Sequence, residues 1–196
     1  MKQVIIALML VAFAATAMAG DPIKLSDPVD YTMDTESRIQ ITGALDDNSP
    51  TWHRWRPDDY SAVSIDCMLD MPYEYSVDPA YDMHCFEVSD SEPVEFVVDA
   101  ADFDTVVYIY CDPFDVTLPR DNAVIFDDDD GDGLNSAVQL SDNVTLQPGD
   151  QYWLVICSYW EGQYGNYSIQ TSDNVALCGG VANEASDWSS IKGLFQ

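Results

Sequence analysis

DFDTVVYIYCDPFDVTLPRDNAVIFDDDDGDGLNSAVQLSDNVTLQPGDQYWLVICSYWEGQYGNYSIQ, residues 102–170, reads as strand, acidic loop, strand, turn, strand, hairpin and strand. Val106, Tyr108 and Tyr110 alternate with Val107, Ile109 and Cys111. That is the two-residue period that puts successive side chains on opposite faces of a sheet, and no helical period fits the run. Gln147-Pro148-Gly149-Asp150 has Pro where a type II turn fixes φ and Gly where the turn needs positive φ. The apolar run 152–157 follows at once, so the turn delivers a buried strand. Gly162 and Gly165 bracket a tight reversal that predicts a hairpin into 166–170, where Tyr167 and Ile169 share one face.

Upstream, further strands are expected over 38–45, 62–67, 82–88 and 94–98, with Val94, Phe96 and Val98 pointing one way. The turn-forming stretches 46–50 and 89–93 separate them. Many short strands at regular spacing point to an all-β chain, a single antiparallel β-sandwich over residues 36–177 rather than βαβ units. Residues 20–35 form an acidic leader to the first strand. Residues 178–196 form a tail in which Ser186 and Asp187 precede Trp188, Ile191, Leu194 and Phe195, the pattern of a short capped helix. Such a tail either closes the sandwich or is read by a partner as a sorting element.

The succession DFDTVVYIY, PFDVTLP, DDDDGDG and LQPGDQYWLVICSYWEGQYGNYSI resembles the bacterial pre-peptidase C-terminal domain of secreted proteins, with an upstream extension through YDMHCFEVSDSEPVEFVVDA. The resemblance implies a jelly-roll-like sandwich. Members usually stand behind a peptidase or another catalytic unit that is not seen here, so it also implies a non-catalytic accessory module. Relatives often hold calcium near the sandwich, which implies a cation at the acidic loop.

The N-terminus carries Lys2, an apolar run over 4–17 and Ala17-Met18-Ala19, a signal-peptidase pattern that makes residues 1–19 a signal peptide and Gly20 the mature start. The run is shorter than the roughly 20 apolar residues a spanning helix needs. A secreted, periplasmic or cell-surface location is therefore expected, with no transmembrane segment in the mature chain. Beyond the signal peptide stand 6 basic against 35 acidic residues. That balance excludes nucleic acid and anionic lipid as partners and favours cations, or simply a soluble monomer.

Cys67, Cys85, Cys111, Cys157 and Cys178 all follow the leader, and an exported compartment permits disulfides. Cys67 and Cys85 flank one short acidic segment, while Cys111 and Cys157 end two strands. Pairing Cys67 with Cys85 and Cys111 with Cys157 is expected, leaving Cys178 over.

Asp128, Asp130 and Asp132 before Gly133 give the first half of an EF-hand-type loop, whose alternate carboxylates converge on a hard cation. The twelfth position is Gln139 rather than Glu, so any Ca2+ held by Asp127, Asp128, Asp130 and Asp132 adopts another geometry; otherwise the loop is solvated. Trp52-His53-Arg54-Trp55-Arg56 has two readings. Exposed, Trp52, Arg54 and Trp55 contact an extracellular protein or glycan ligand. Buried, the indoles join the core and the arginines pair with Asp58 and Asp59. Only His53 and His84 could serve as catalytic imidazoles, and no nucleophile elbow or zinc motif accompanies them. The functional expectation is a binding module with no enzymatic activity; a cell-surface structural component and a small hydrolase using scattered carboxylates are the alternatives.

Overall fold

The computed structural model describes residues 31–33 and 38–179. The signal peptide, most of the leader and the helix expected in the tail lie outside the described residues. Twelve strands are described: β1 Tyr31–Met33, β2 Ile39–Leu45, β3 Trp55–Arg56, β4 Tyr73–Glu74, β5 Tyr81–Val88, β6 Phe96–Ala101, β7 Thr105–Cys111, β8 Ala123–Asp127, β9 Ala137–Val138, β10 Gln151–Ser158, β11 Gly165–Thr171 and β12 Val175–Leu177. One five-stranded sheet runs β1-β2-β11-β6-β9, a second runs β12-β5-β10-β7-β8, and β3 pairs β4 apart from both. All pairings between these strands are antiparallel.

The pairing is nested. β7 joins β8, β6 joins β9, β5 joins β10 and β2 joins β11, so the chain doubles back as one long ribbon about the β7–β8 connection. Successive ribbon pairs fall in alternate sheets, which is the jelly-roll winding. The expected β10–β11 hairpin is corrected by this topology, since the two strands belong to opposite sheets. Gly162 (φ 77°) does turn the chain there, but across the sandwich edge rather than within a sheet. At Gln147–Asp150 the type II turn holds: Gly149 has φ 88° and the Asp150 N–H donates to the Gln147 carbonyl at 3.3 Å.

Between the sheets lies a core in which Ile41, Phe86, Phe96, Ile109, Leu154 and Ile156 are fully buried. Phe86 meets Phe96 edge-on at 4.8 Å. Val94, Phe96 and Val98 all point inward, as their alternation required. β7 is buried on both faces: Val107 and Ile109 enter the sandwich, while Val106, Tyr108 and Tyr110 join a second core on the outside of the sheet. The second core is roofed by segments 51–75 and 112–121 and includes Trp52, Leu69, Met71, Phe126 and Val155. Stretch 62–67, expected as a strand, is not one: it runs beside β8, with Val63 and Cys67 packed against the core between the sheets. Cys67 has φ 63°, Ser64 Oγ accepts from the Met68 N–H, and only Val63 bridges the sheet, opposite Ile125. The left-handed turn at Cys67 ends any extended run.

The disulfides correct the expected pairing. Cys67 is bonded to Cys111 and Cys85 to Cys178, leaving Cys157 free. Cys157 faces the second core beneath the roof. Cys111, at the end of β7, and Cys67 both pack against the core between the sheets, and Cys85 faces outward on β5 beside β12. Cys178 therefore staples the end of β12 to its neighbour. Burial pushes the Cys157 thiol up to about 12, with Arg54 opposing.

Native, unreduced protein is expected to give no reaction with a thiol reagent, and one thiol per chain after denaturation without reductant. Peptide mapping should recover Cys67–Cys111 and Cys85–Cys178 cross-links; a Cys67–Cys85 cross-link would overturn the assignment.

Candidate functional site

At one end of the sandwich the β6–β7 turn meets the β8–β9 loop. Thr105 and Ser136, both fully buried, clasp them together. The Ser136 N–H donates to Thr105 Oγ1 at 2.8 Å, and Ser136 Oγ lies 2.7 Å from the carbonyl oxygens of both Thr105 and Asp128. Asp104 is thereby held beside Asp128. With Asp129 they form a cluster whose carboxylate oxygens lie within 4.8 Å of one another. Gly131 permits the close fold of the loop, since a Cβ there would stand 2.4 Å from the Asn135 carbonyl oxygen.

Of the four carboxylates expected to hold a cation, the structure brings only Asp128 into this cluster. Asp127 is buried, and its Oδ1 accepts the Ala137 N–H at 2.6 Å, which fixes the start of β9. Asp130 and Asp132 stand exposed in the loop, outside the cluster. Asp104, missed from sequence, comes from the other loop 24 residues upstream of Asp128. A local Asp-rich pattern carries no signal for such a long-range partner.

Arg54 lies next to the cluster, fully buried on the roof segment. Its guanidinium stacks 4.1 Å from the Tyr75 ring and 4.6 Å from the Tyr159 ring. None of its three nitrogens has a hydrogen-bond partner among the described residues, and Oδ1 of Asp104 and of Asp128 are likewise buried without one. Burial, then the neighbouring Asp129, raises both carboxyls, Asp128 to about 7, while Arg54 pulls them back down. Burial likewise raises Asp127 to about 6. Three carboxylates against one guanidinium leave two negative charges in excess, and the donor atoms are all oxygens. This is the chemistry of a hard divalent cation.

The Trp52–Arg56 stretch is split by the fold. Trp52 is 3% exposed and packs edge-on against Tyr108 at 5.0 Å, and Arg54 is buried. Neither can contact a ligand, which corrects the surface reading for both. The pairing with Asp58 and Asp59 is also replaced: aromatic rings hold Arg54 and Arg56, and Asp59 accepts the Ser61 N–H. Trp55 is half-buried, with the Arg120 guanidinium 4.8 Å from its ring.

Both histidines are engaged. His53 Nδ1 lies 2.8 Å from Asp78 Oδ1, and Nε2 contacts Glu74, so hydrogen bonds to the two carboxylates raise the imidazole above its ordinary value. His84 is buried, with Nε2 2.8 Å from the Tyr167 hydroxyl, which in turn donates to Asp82 Oδ2 at 2.7 Å. The Tyr167 oxygen therefore accepts from an Nε2–H imidazole. Gly43 makes room for this bridge between the sheets, since a Cβ there would stand 2.3 Å from the Tyr167 oxygen.

No protein-family model matches the chain, and no curated protein matches it.

Burial lowers the His84 pKa below 6.5, against the pull of Asp82. The unfolded chain takes up this proton at about 6.5 and the folded chain only at lower pH, so His84 removes stability as pH falls through that window. The stability gap between the natural protein and His84→Gln should narrow by up to about 1.4 kcal/mol from about pH 7.5 to about pH 5.5. Melting curves across that range check it, and a constant gap would show a histidine that already titrates normally.

Proposed function

We propose that this chain is an exported, non-catalytic binding module of the pre-peptidase C-terminal type, stabilised by Ca2+ held at Asp104, Asp128 and Asp129, with an extracellular protein or glycan as its partner. The observation that carries the cation is the pair of buried, unpartnered carboxylate oxygens on Asp104 and Asp128 beside exposed Asp129. Leaving such oxygens buried and unpaired costs about 1–3 kcal/mol each or more, and a bound cation removes that penalty. It also favours the charged form of Asp128, and so competes with the proton that burial encourages. Two disulfides in a chain of this size support an oxidising, exported setting. Against catalysis, both His53 nitrogens are held by carboxylates, and His84 is buried in its bridge to Tyr167.

A cation bound only by the native loops adds RT ln(1 + [L]/Kd) to stability. For a Kd of about 0.1 mM and about 1 mM calcium this is roughly 1.4 kcal/mol, or about 3 to 6 °C in melting temperature. Magnesium should give less, because it dehydrates reluctantly. Asp104→Asn and Asp128→Asn should abolish the response, while Asp130→Asn and Asp132→Asn should leave it. Coincident melts in calcium and EDTA would remove the cation from this reading. A panel of esters, peptides and glycosides should show no turnover; turnover lost in a folded His53→Ala variant would make the protein an enzyme.

A further inference from the structure

On the roof of the outer core lies a cleft of about 380 Å3, lined by none of the clustered carboxylates and walled by Trp55, Leu69, Met71, Leu118 and Arg120. That volume is within the range of small-molecule sites. Its two sides are fixed by neighbouring outward tyrosines of β7. The Tyr108 hydroxyl donates to the Trp55 carbonyl at 2.8 Å, and the Tyr110 hydroxyl donates to the Pro119 carbonyl at 2.9 Å. The Cys67–Cys111 disulfide ties the Leu69 segment to the same strand. Asp115 Oδ1 accepts the Thr117 N–H at 2.8 Å, setting the turn that presents Leu118 and Arg120. The walls of the cleft are therefore tied to β7, which lowers the cost to a ligand of ordering them.

Its polar groups are of both kinds. Asp70, Asp121 and the Thr117 hydroxyl offer acceptors, Arg120 offers a planar fork of donors, and Trp55 supplies an indole. A small anion would face two carboxylates on a chain of net charge −28. A cation would compete with Arg120, whose guanidinium already lies over the indole with Asp70 3.9 Å away. A neutral polyol brings no charge against either set of groups, and needs only that Arg120 move off the indole. Paired hydroxyls donate to the carboxylates and accept from the guanidinium, while the C–H face of a pyranose ring, weakly positive, suits the negative face of the indole. Arg120 is held there only by a half-exposed ring contact and a long, exposed ion pair, so it can swing aside to bond a hydroxyl.

We propose that this cleft binds a neutral saccharide, with Trp55 as the stacking platform and Arg120, Asp70 and Asp121 as the hydroxyl-reading groups. The inference rests on the binding-module reading and names its ligand class; the two fail separately, because the calcium response is read without any sugar. The test follows the Trp55 indole N–H by NMR in the full-length mature protein during titration with maltotriose, cellotriose, mannotriose and chitotriose. An arginine-containing tetrapeptide and trigalacturonate serve as charged comparators. At least one neutral trisaccharide should give a saturable shift, with a dissociation constant on the order of 1 mM. Arg120→Ala should weaken it about tenfold or more without moving the melting temperature, since the side chain is half exposed. Read by isothermal titration calorimetry, since the indole probe is gone, binding should be abolished in Trp55→Ala and partly restored in Trp55→Phe. Saturation by no neutral trisaccharide, a response to a charged comparator only, or binding indifferent to Arg120→Ala would each overturn the proposal.

Discussion

The outer face of the β5-β10-β7-β8 sheet has to be covered, and much of the molecule follows from that. Val106, Tyr108, Tyr110, Val155 and Cys157 all point outward from the sandwich, an apolar and aromatic surface that water cannot be left to solvate. Segments 51–75 and 112–121 cross it as a roof, held by the Cys67–Cys111 disulfide and by the two tyrosine hydroxyls bonding roof carbonyls. The same tyrosines thus serve twice: their rings fill the outer core, and their hydroxyls set the walls of the Trp55–Arg120 cleft.

Arg54 shows what the roof costs and what it allows. Burying a guanidinium with no hydrogen-bond partner is unfavourable. Stacking between Tyr75 and Tyr159 recovers about 2 kcal/mol when the contact is desolvated. The field of Asp104 and Asp128 supplies further compensation, and Arg54 in turn restrains the upward shift that burial imposes on them. The buried charge and the carboxylate cluster are therefore one electrostatic unit, spanning the roof and the loop end of the sandwich.

Part of the acidic surplus has plainer employment. Asp46, Asp59 and Asp115 each accept the backbone N–H two residues on, and Asp102 accepts both the N–H and the side-chain amide of Asn166. Hydrogen bonds of this kind hold the four carboxyls below their ordinary value. Aspartate is a natural turn former, and a fold with this many short connections uses it repeatedly. Acidity alone therefore does not mark a metal site. Asp104 and Asp128 differ because they are partly buried and each keeps an oxygen unpartnered.

Local chemistry determined the parts of this protein that were legible in its sequence. The period of two in β7, the inward row Val94, Phe96 and Val98, and the Pro-Gly turn at 147–150 depend only on neighbours in the chain, and each stands in the structure. An all-β sandwich follows from them. What depends on winding was not legible. Whether β10 and β11 form a hairpin, which cysteines meet, and whether Trp52 and Arg54 face water are set by the nested ribbon and its roof, where contacts join residues far apart in sequence. The carboxylate cluster shows the division most plainly: the run 127–130 was visible as charge, but Asp104 joins it only because the Thr105–Ser136 clasp closes one loop on the other. Periodicity tells which way a side chain points, and only the tertiary fold decides what it meets.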